Sequence, residues 1–90
     1  MIKTIQIIVS GRVQGVCYRA STHKVATHHK IDGWVKNLPD GCVEIRARAE
    51  DHQLEHLIAW CHAGPIFARV DNVTVTELEV TDLAPGFIIA

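Results

Sequence analysis

The segment Gly11-Arg12-Val13-Gln14-Gly15-Val16-Cys17-Tyr18-Arg19 holds the residue types best suited to gripping an anion. Gly11 and Gly15 let the backbone turn N–H groups toward a common point, because glycine accepts positive φ without a Cβ clash. Arg19 closes the segment with a planar guanidinium whose fork matches a pair of phosphate oxygens. A surface arginine is the plainest reading of Arg19, but a cation in the first turn of a helix is unfavourable, since the helix start already carries positive partial charge. An anion between the two makes both favourable, so the spacing points to a phosphate-binding loop in a small hydrolase.

Asn37 is the second candidate. It precedes Leu38-Pro39-Asp40-Gly41, so its plain reading is a turn residue. Its amide also donates and accepts at once, which suits it to holding a water molecule, although it is too weak a base to take the proton. Other constellations are poorer. Cys17 stands two residues before Arg19, too close to wrap phosphate as a C-x₅-R nucleophile motif does, so no covalent cysteinyl phosphate is expected. His52 and His56 have i, i+4 spacing, yet they lie opposite the apolar stripe of their segment with no third ligand, and no metal is expected. Arg46 and Arg48 form a basic pair without interleaved aromatics, a poor match for an RNA surface. No Gly-Lys-Ser/Thr phosphate loop is present.

Bulk properties narrow the classes. Nine basic residues against ten acidic ones give a formal net charge of −1, which argues against general nucleic-acid affinity. Positive potential at a phosphate site must then be local, from Arg12, Arg19, Lys24 or Lys36. Cys17, Cys42 and Cys61 form no C-x-x-C pair and suggest neither a disulfide framework nor a zinc ribbon. No leader or membrane-length apolar run is visible, so a cytoplasmic protein without a membrane partner is expected. The chain fits one domain over residues 1–90.

A scaffold must bring these residues together. Ile2 to Val9 reads as a strand, with Ile5, Ile7 and Val9 on one face and Ile8 on the other, which suits a sheet interior. Helical periodicity runs from Tyr18 to about Lys30, placing Tyr18, Thr22, Val25 and His29 on one stripe beside Ala26. His29 stands where an apolar residue is expected, and reads as a half-buried ring with a hydrogen-bond partner. Ile31 to Asn37 forms a second strand, and Leu38-Pro39-Asp40-Gly41 its turn. Val43, Ile45, Ala47 and Ala49 alternate with Glu44, Arg46, Arg48 and Glu50, as in a strand with one wet face. Leu54, Leu57, Ile58 and Cys61 make a helical stripe that Asp51 can cap and Gly64-Pro65 ends.

Arg69 to Val80 reads as a long strand whose alternation fails near Thr76-Glu77, where a bulge or bend is expected. Phe87 and Ile89 add an edge segment after Pro85-Gly86. The order β-α-β-β-α-β with a short C-terminal edge strand predicts an α+β fold. It is a ferredoxin-like α/β sandwich, an antiparallel sheet with two helices on one face. The first two strands then neighbour each other or flank a common strand, and Asn37 approaches the loop that ends in Arg19.

A family resemblance rests on these motifs. Gly11 to Arg19, Gly33-Trp34-Val35-Lys36-Asn37, Asp40-Gly41-Cys42-Val43-Glu44, Gly64-Pro65, Ala68-Arg69-Val70 and Phe87-Ile88-Ile89 resemble, in order and over nearly the whole chain, the acylphosphatase family. The resemblance implies a metal-independent hydrolase, without a cofactor, that cleaves small acyl phosphates to carboxylate and inorganic phosphate. It implies that Arg19 grips the phosphate, that the N–H groups of Gln14, Gly15, Val16, Cys17 and Tyr18 complete the cradle, and that Asn37 orients the attacking water. A monomer with no nucleic-acid partner is expected. Cys17 and Leu38 depart from the family's usual pattern, which has glycine or an apolar residue near the first and a small polar residue at the second. Two other functions fit the residues less well: a non-catalytic phosphate or acyl-phosphate binding module, and a ferredoxin-like RNA-binding module.

Overall fold

The computed structural model describes residues 1–79 and 83–90. Its elements are β1 (Ile2–Arg12), α1 (Tyr18–His28), β2 (Asp32–Asn37), β3 (Val43–Glu50), α2 (Asp51–Ala63), β4 (Arg69–Leu78) and β5 (Phe87–Ile89). The sheet order is β4-β1-β3-β2-β5, so β1 lies inside the sheet, as apolar residues on both of its faces require. β1 and β2 flank β3, each antiparallel to it, and Ile45 of β3 sits opposite both Ile7 and Val35. This is the ferredoxin-like α+β sandwich, with one correction to the expected sheet. β5 runs parallel to β2, pairing Phe87 with Gly33 and Ile89 with Val35, so the sheet is mixed. A strand of three residues carries no pattern that sets its direction.

Ile5, Ile7 and Val9 of β1, Val35 of β2, and Val43, Ile45 and Ala47 of β3 are buried on one face. They meet Tyr18 and Ala26 of α1 and Leu54, Leu57 and Cys61 of α2 in a single core cluster. The other face carries Gln6, Trp34, Lys36, Arg46 and Arg48, all half-buried. Glu44 on that face was expected to be wet, but it is only 7% exposed. It stands mid-sheet between Ile8 and Lys36, and accepts hydrogen bonds from Gln6 Nε2 (2.9 Å) and Arg46 Nε (3.3 Å).

Two boundaries differ from the sequence pattern. β1 continues past Val9 because Gly11 and Arg12 pair with Val70 and Arg69. The β1–β4 register shifts between Ser10 and Gly11, leaving Asp71 as the extra residue, so the bulge lies here. Thr76 and Glu77 pair regularly with Gln6 and Ile5. β4 is an edge strand with mostly exposed side chains, so its alternation reports little about register. At Gly11 (φ +120°) a Cβ would stand 2.1 Å from the Arg69 carbonyl oxygen, which restricts the bulge to glycine. Val80 lies outside the described residues. In α2 the N-cap is Glu50 rather than Asp51, in a reciprocal capping box with Gln53.

His29, just past α1, stacks its ring on His56 of α2 at 4.7 Å, with His28 edge-on at 5.0 Å. The expected hydrogen-bonded ring is thus a stacked one, and the hydrogen bond falls on the His29 carbonyl, which accepts from Gln53 Nε2 at 2.7 Å. Partial burial, then His56 and His28, hold this imidazole below its ordinary 6.5. The unfolded chain binds the proton more readily, so His29 contributes stability above the unfolded pKa that is lost as pH falls through the lowered one. On acidification below about pH 6.5 Tm should therefore fall less in His29→Leu than in the parent. Equal slopes in a pH series of thermal melts would remove His29 from this effect.

Candidate active site

Beyond Arg12 the chain leaves the sheet through buried Val13 and turns over residues 14–17 into α1. Gly15 (φ 75°) and Cys17 (φ 66°) are both left-handed. Left-handed residues in a tight turn tip their N–H groups to one side, which is how backbone makes an anion-binding concavity. Glycine does this freely, whereas a side chain there costs roughly 1–2 kcal/mol. Cys17 is also the N-cap of α1 and makes no side-chain cap, and the first turn holds no acidic residue. The leading N–H groups of α1 therefore have no intrahelical partner and no counter-charge. Cys17→Gly should raise stability by up to about 1 kcal/mol in urea denaturation, strain relief exceeding the added chain entropy. A loss of stability would mean that the thiol packs favourably where it stands.

The turn opens on a cavity of about 420 Å³. Gly15, Cys17 and Tyr18 line it from the turn and the helix start, with Arg19 from the first turn of α1 and Asn37 from the end of β2. Gln14 and Val16 are not on its wall: Val16 is buried in the core, and Gln14 directs its side chain to the 38–42 turn. Val13, Ala20 and Ile89 complete the lining and have no signal in the sequence. They are apolar, and Ile89 arrives only because β5 lies beside β2.

Arg19 is exposed and has no carboxylate partner among the described residues. The other cations considered do not line the cavity. Lys36 lies 5.0 Å over the Trp34 ring, Arg12 is paired in the sheet opposite Arg69, and Lys24 is elsewhere on α1. Local positive potential at the wall is therefore left to Arg19 and the start of α1. Asn37 presents the complementary feature: its Oδ1 is buried and has no hydrogen-bond partner among the described residues. Leaving such an acceptor unmet costs about 1–3 kcal/mol, so this is an atom built to receive a donor.

Tyr18 has a purely structural side chain. It is 1% exposed, its hydroxyl donates to the Cys61 carbonyl at 2.8 Å, and its ring lies 5.1 Å from Trp60. Burial pushes the phenol well above its ordinary range and so keeps it neutral, leaving only the backbone N–H of Tyr18 for chemistry. Burial likewise pushes the Cys61 thiol up to about 12. Among the described residues no three metal-ligating side chains gather in one place, and His52 and His56 are exposed. Among the described residues the cavity wall thus carries one guanidinium and one amide, with no carboxylate or imidazole.

A family model described as Acylphosphatase matches residues 5–89. An acylphosphatase of Methylococcus capsulatus is 47% identical over 79 residues, covering 88% of this chain and 86% of its own length. One of Marinobacter nauticus is 55% identical over 75 residues, covering 83% and 82%. The crystal structure of acylphosphatase from Bacillus subtilis superposes with a TM-score of 0.93 at 37% identity, covering 100% of this chain and 99% of that one.

Proposed function

The chain belongs to the acylphosphatase family and hydrolyses acyl phosphates, and on that premise we propose that Arg19 and the N–H groups of Gly15, Cys17, Tyr18 and Arg19 hold the phosphoryl group while Asn37 orients the attacking water. An acyl phosphate is a mixed anhydride whose carboxylate leaves readily, so little acid catalysis is required. The demanding tasks are stabilising charge on the phosphoryl oxygens and fixing a water in line. Arg19 and the backbone donors meet the first, and the Asn37 amide meets the second. The water oxygen bonds to phosphorus as the bond from phosphorus to the carboxylate oxygen breaks. The water's proton passes to a phosphate oxygen, since the described residues of the cavity wall include no carboxylate or imidazole.

Support comes from Asn37, which lines the same cavity as Arg19 and whose buried Oδ1 has no hydrogen-bond partner among the described residues. We further propose that residues 1–90 act as one domain, as a cytoplasmic monomer without a nucleic-acid partner. Among the described residues no helix is long and apolar enough to cross a membrane. Phosphate release from benzoyl phosphate in EDTA tests the metal-free mechanism. Undiminished turnover is expected, and activity lost in EDTA and restored by Mg²⁺ would overturn it.

A further inference from the structure

The side chain of Gln14 has a task separate from its backbone. Its Nε2 donates to the Leu38 carbonyl and to the Cys42 carbonyl, both at 2.8 Å. Those two carbonyls sit at the base of the 38–42 turn, where the Leu38 N–H also donates to the Cys42 carbonyl at 2.8 Å. Leu38 follows Asn37 directly, and Cys42 precedes Val43, the residue paired with Asn37. One amide group thus grips both ends of the turn that anchors Asn37. Among the described residues no other side-chain hydrogen bond joins the 13–17 turn to the 38–42 turn.

We propose that Gln14 is a positioning residue, which sets where the Asn37 amide stands relative to the bound phosphoryl group by tying the two turns together. The inference rests on the roles given above to Arg19 and Asn37. Phosphate is held by groups on the Gln14 side of this tie, and the attacking water by a group on the far side. Loosening the tie shifts one set against the other, which harms in-line attack and spares phosphate binding. A misplacement of about 1 Å can cost about 10² in rate.

Gln14→Met keeps the length and removes both donors, and Gln14→Ala serves as a second variant that lets water reach the freed carbonyls. We expect kcat on benzoyl phosphate to fall by about tenfold or more, while KM and the inhibition constant for inorganic phosphate stay within about twofold. Because Gln14 acts through Asn37, adding Gln14→Met to Asn37→Ala should lower kcat by less than about twofold more. Parallel loss of phosphate affinity, an additive double variant, or unchanged kcat in a folded variant each overturns the proposal. If Asn37→Ala alone keeps full activity, the assignment of the site fails instead, which separates the two failures.

Discussion

Arg19→Ala should lower kcat/KM for benzoyl phosphate by about 10² or more, the scale set by losing one preorganised donor to a developing oxyanion. Among the described residues Arg19 is the one charged side chain on the cavity wall, and it has no carboxylate partner. Its charge is therefore not already engaged before phosphate arrives. The same variant should bind inorganic phosphate more weakly, because the ground-state dianion meets the same fork. Arg19→Lys should recover little, since an ammonium is a point charge and cannot reproduce two parallel N–H bonds. Stability should change by less than about 0.5 kcal/mol, as for a surface substitution. Near-native kinetics in Arg19→Ala would remove this residue from the site.

Asn37→Ala should lower kcat by about 10² and leave KM nearly unchanged, the pattern of a group that acts on attack rather than on binding. The physical basis is the buried, unpartnered Oδ1 of a residue that lines the same cavity as Arg19, which suits the role proposed for its amide in orienting the water. Removing a buried, unmet acceptor also lifts its desolvation cost, so the inactive variant should be no less stable than the parent in thermal melts. A variant that keeps its kcat, or loses activity only by unfolding, would contradict the assignment.

Much of the fold was legible because burial enforced a pattern. β3 is central, and its alternation of Val43, Ile45 and Ala47 with charged residues follows from one face packing into the core. The stripe of Leu54, Leu57 and Cys61 in α2 is legible for the same reason. Where burial is weak, the signal is lost. The bulge at Asp71 lies in exposed β4, and β5 is too short to declare its parallel direction. Glu44 looked wet because local alternation cannot show that Gln6 of β1 and Arg46 of β3 enclose it.

The site divides along similar lines. Gly15 and Arg19 are legible because each residue type has a narrow set of uses, one in backbone conformation and the other in charge geometry. Cys17 carries no mark of its left-handed φ, and nothing in a glutamine's type says that Gln14 reaches carbonyls 24 and 28 residues away. Val16 has the right position for a cradle residue, but its side chain is needed by the core.

Titration with inorganic phosphate, followed by backbone-amide NMR, tests most directly whether the turn into α1 is the anion socket. The amide signals from Gly15 to Arg19 should move together along one saturating curve, with a midpoint equal to the inhibition constant of phosphate against benzoyl phosphate hydrolysis. Stationary signals there, with shifts instead on the outer sheet face around Arg46 and Arg48, would contradict it.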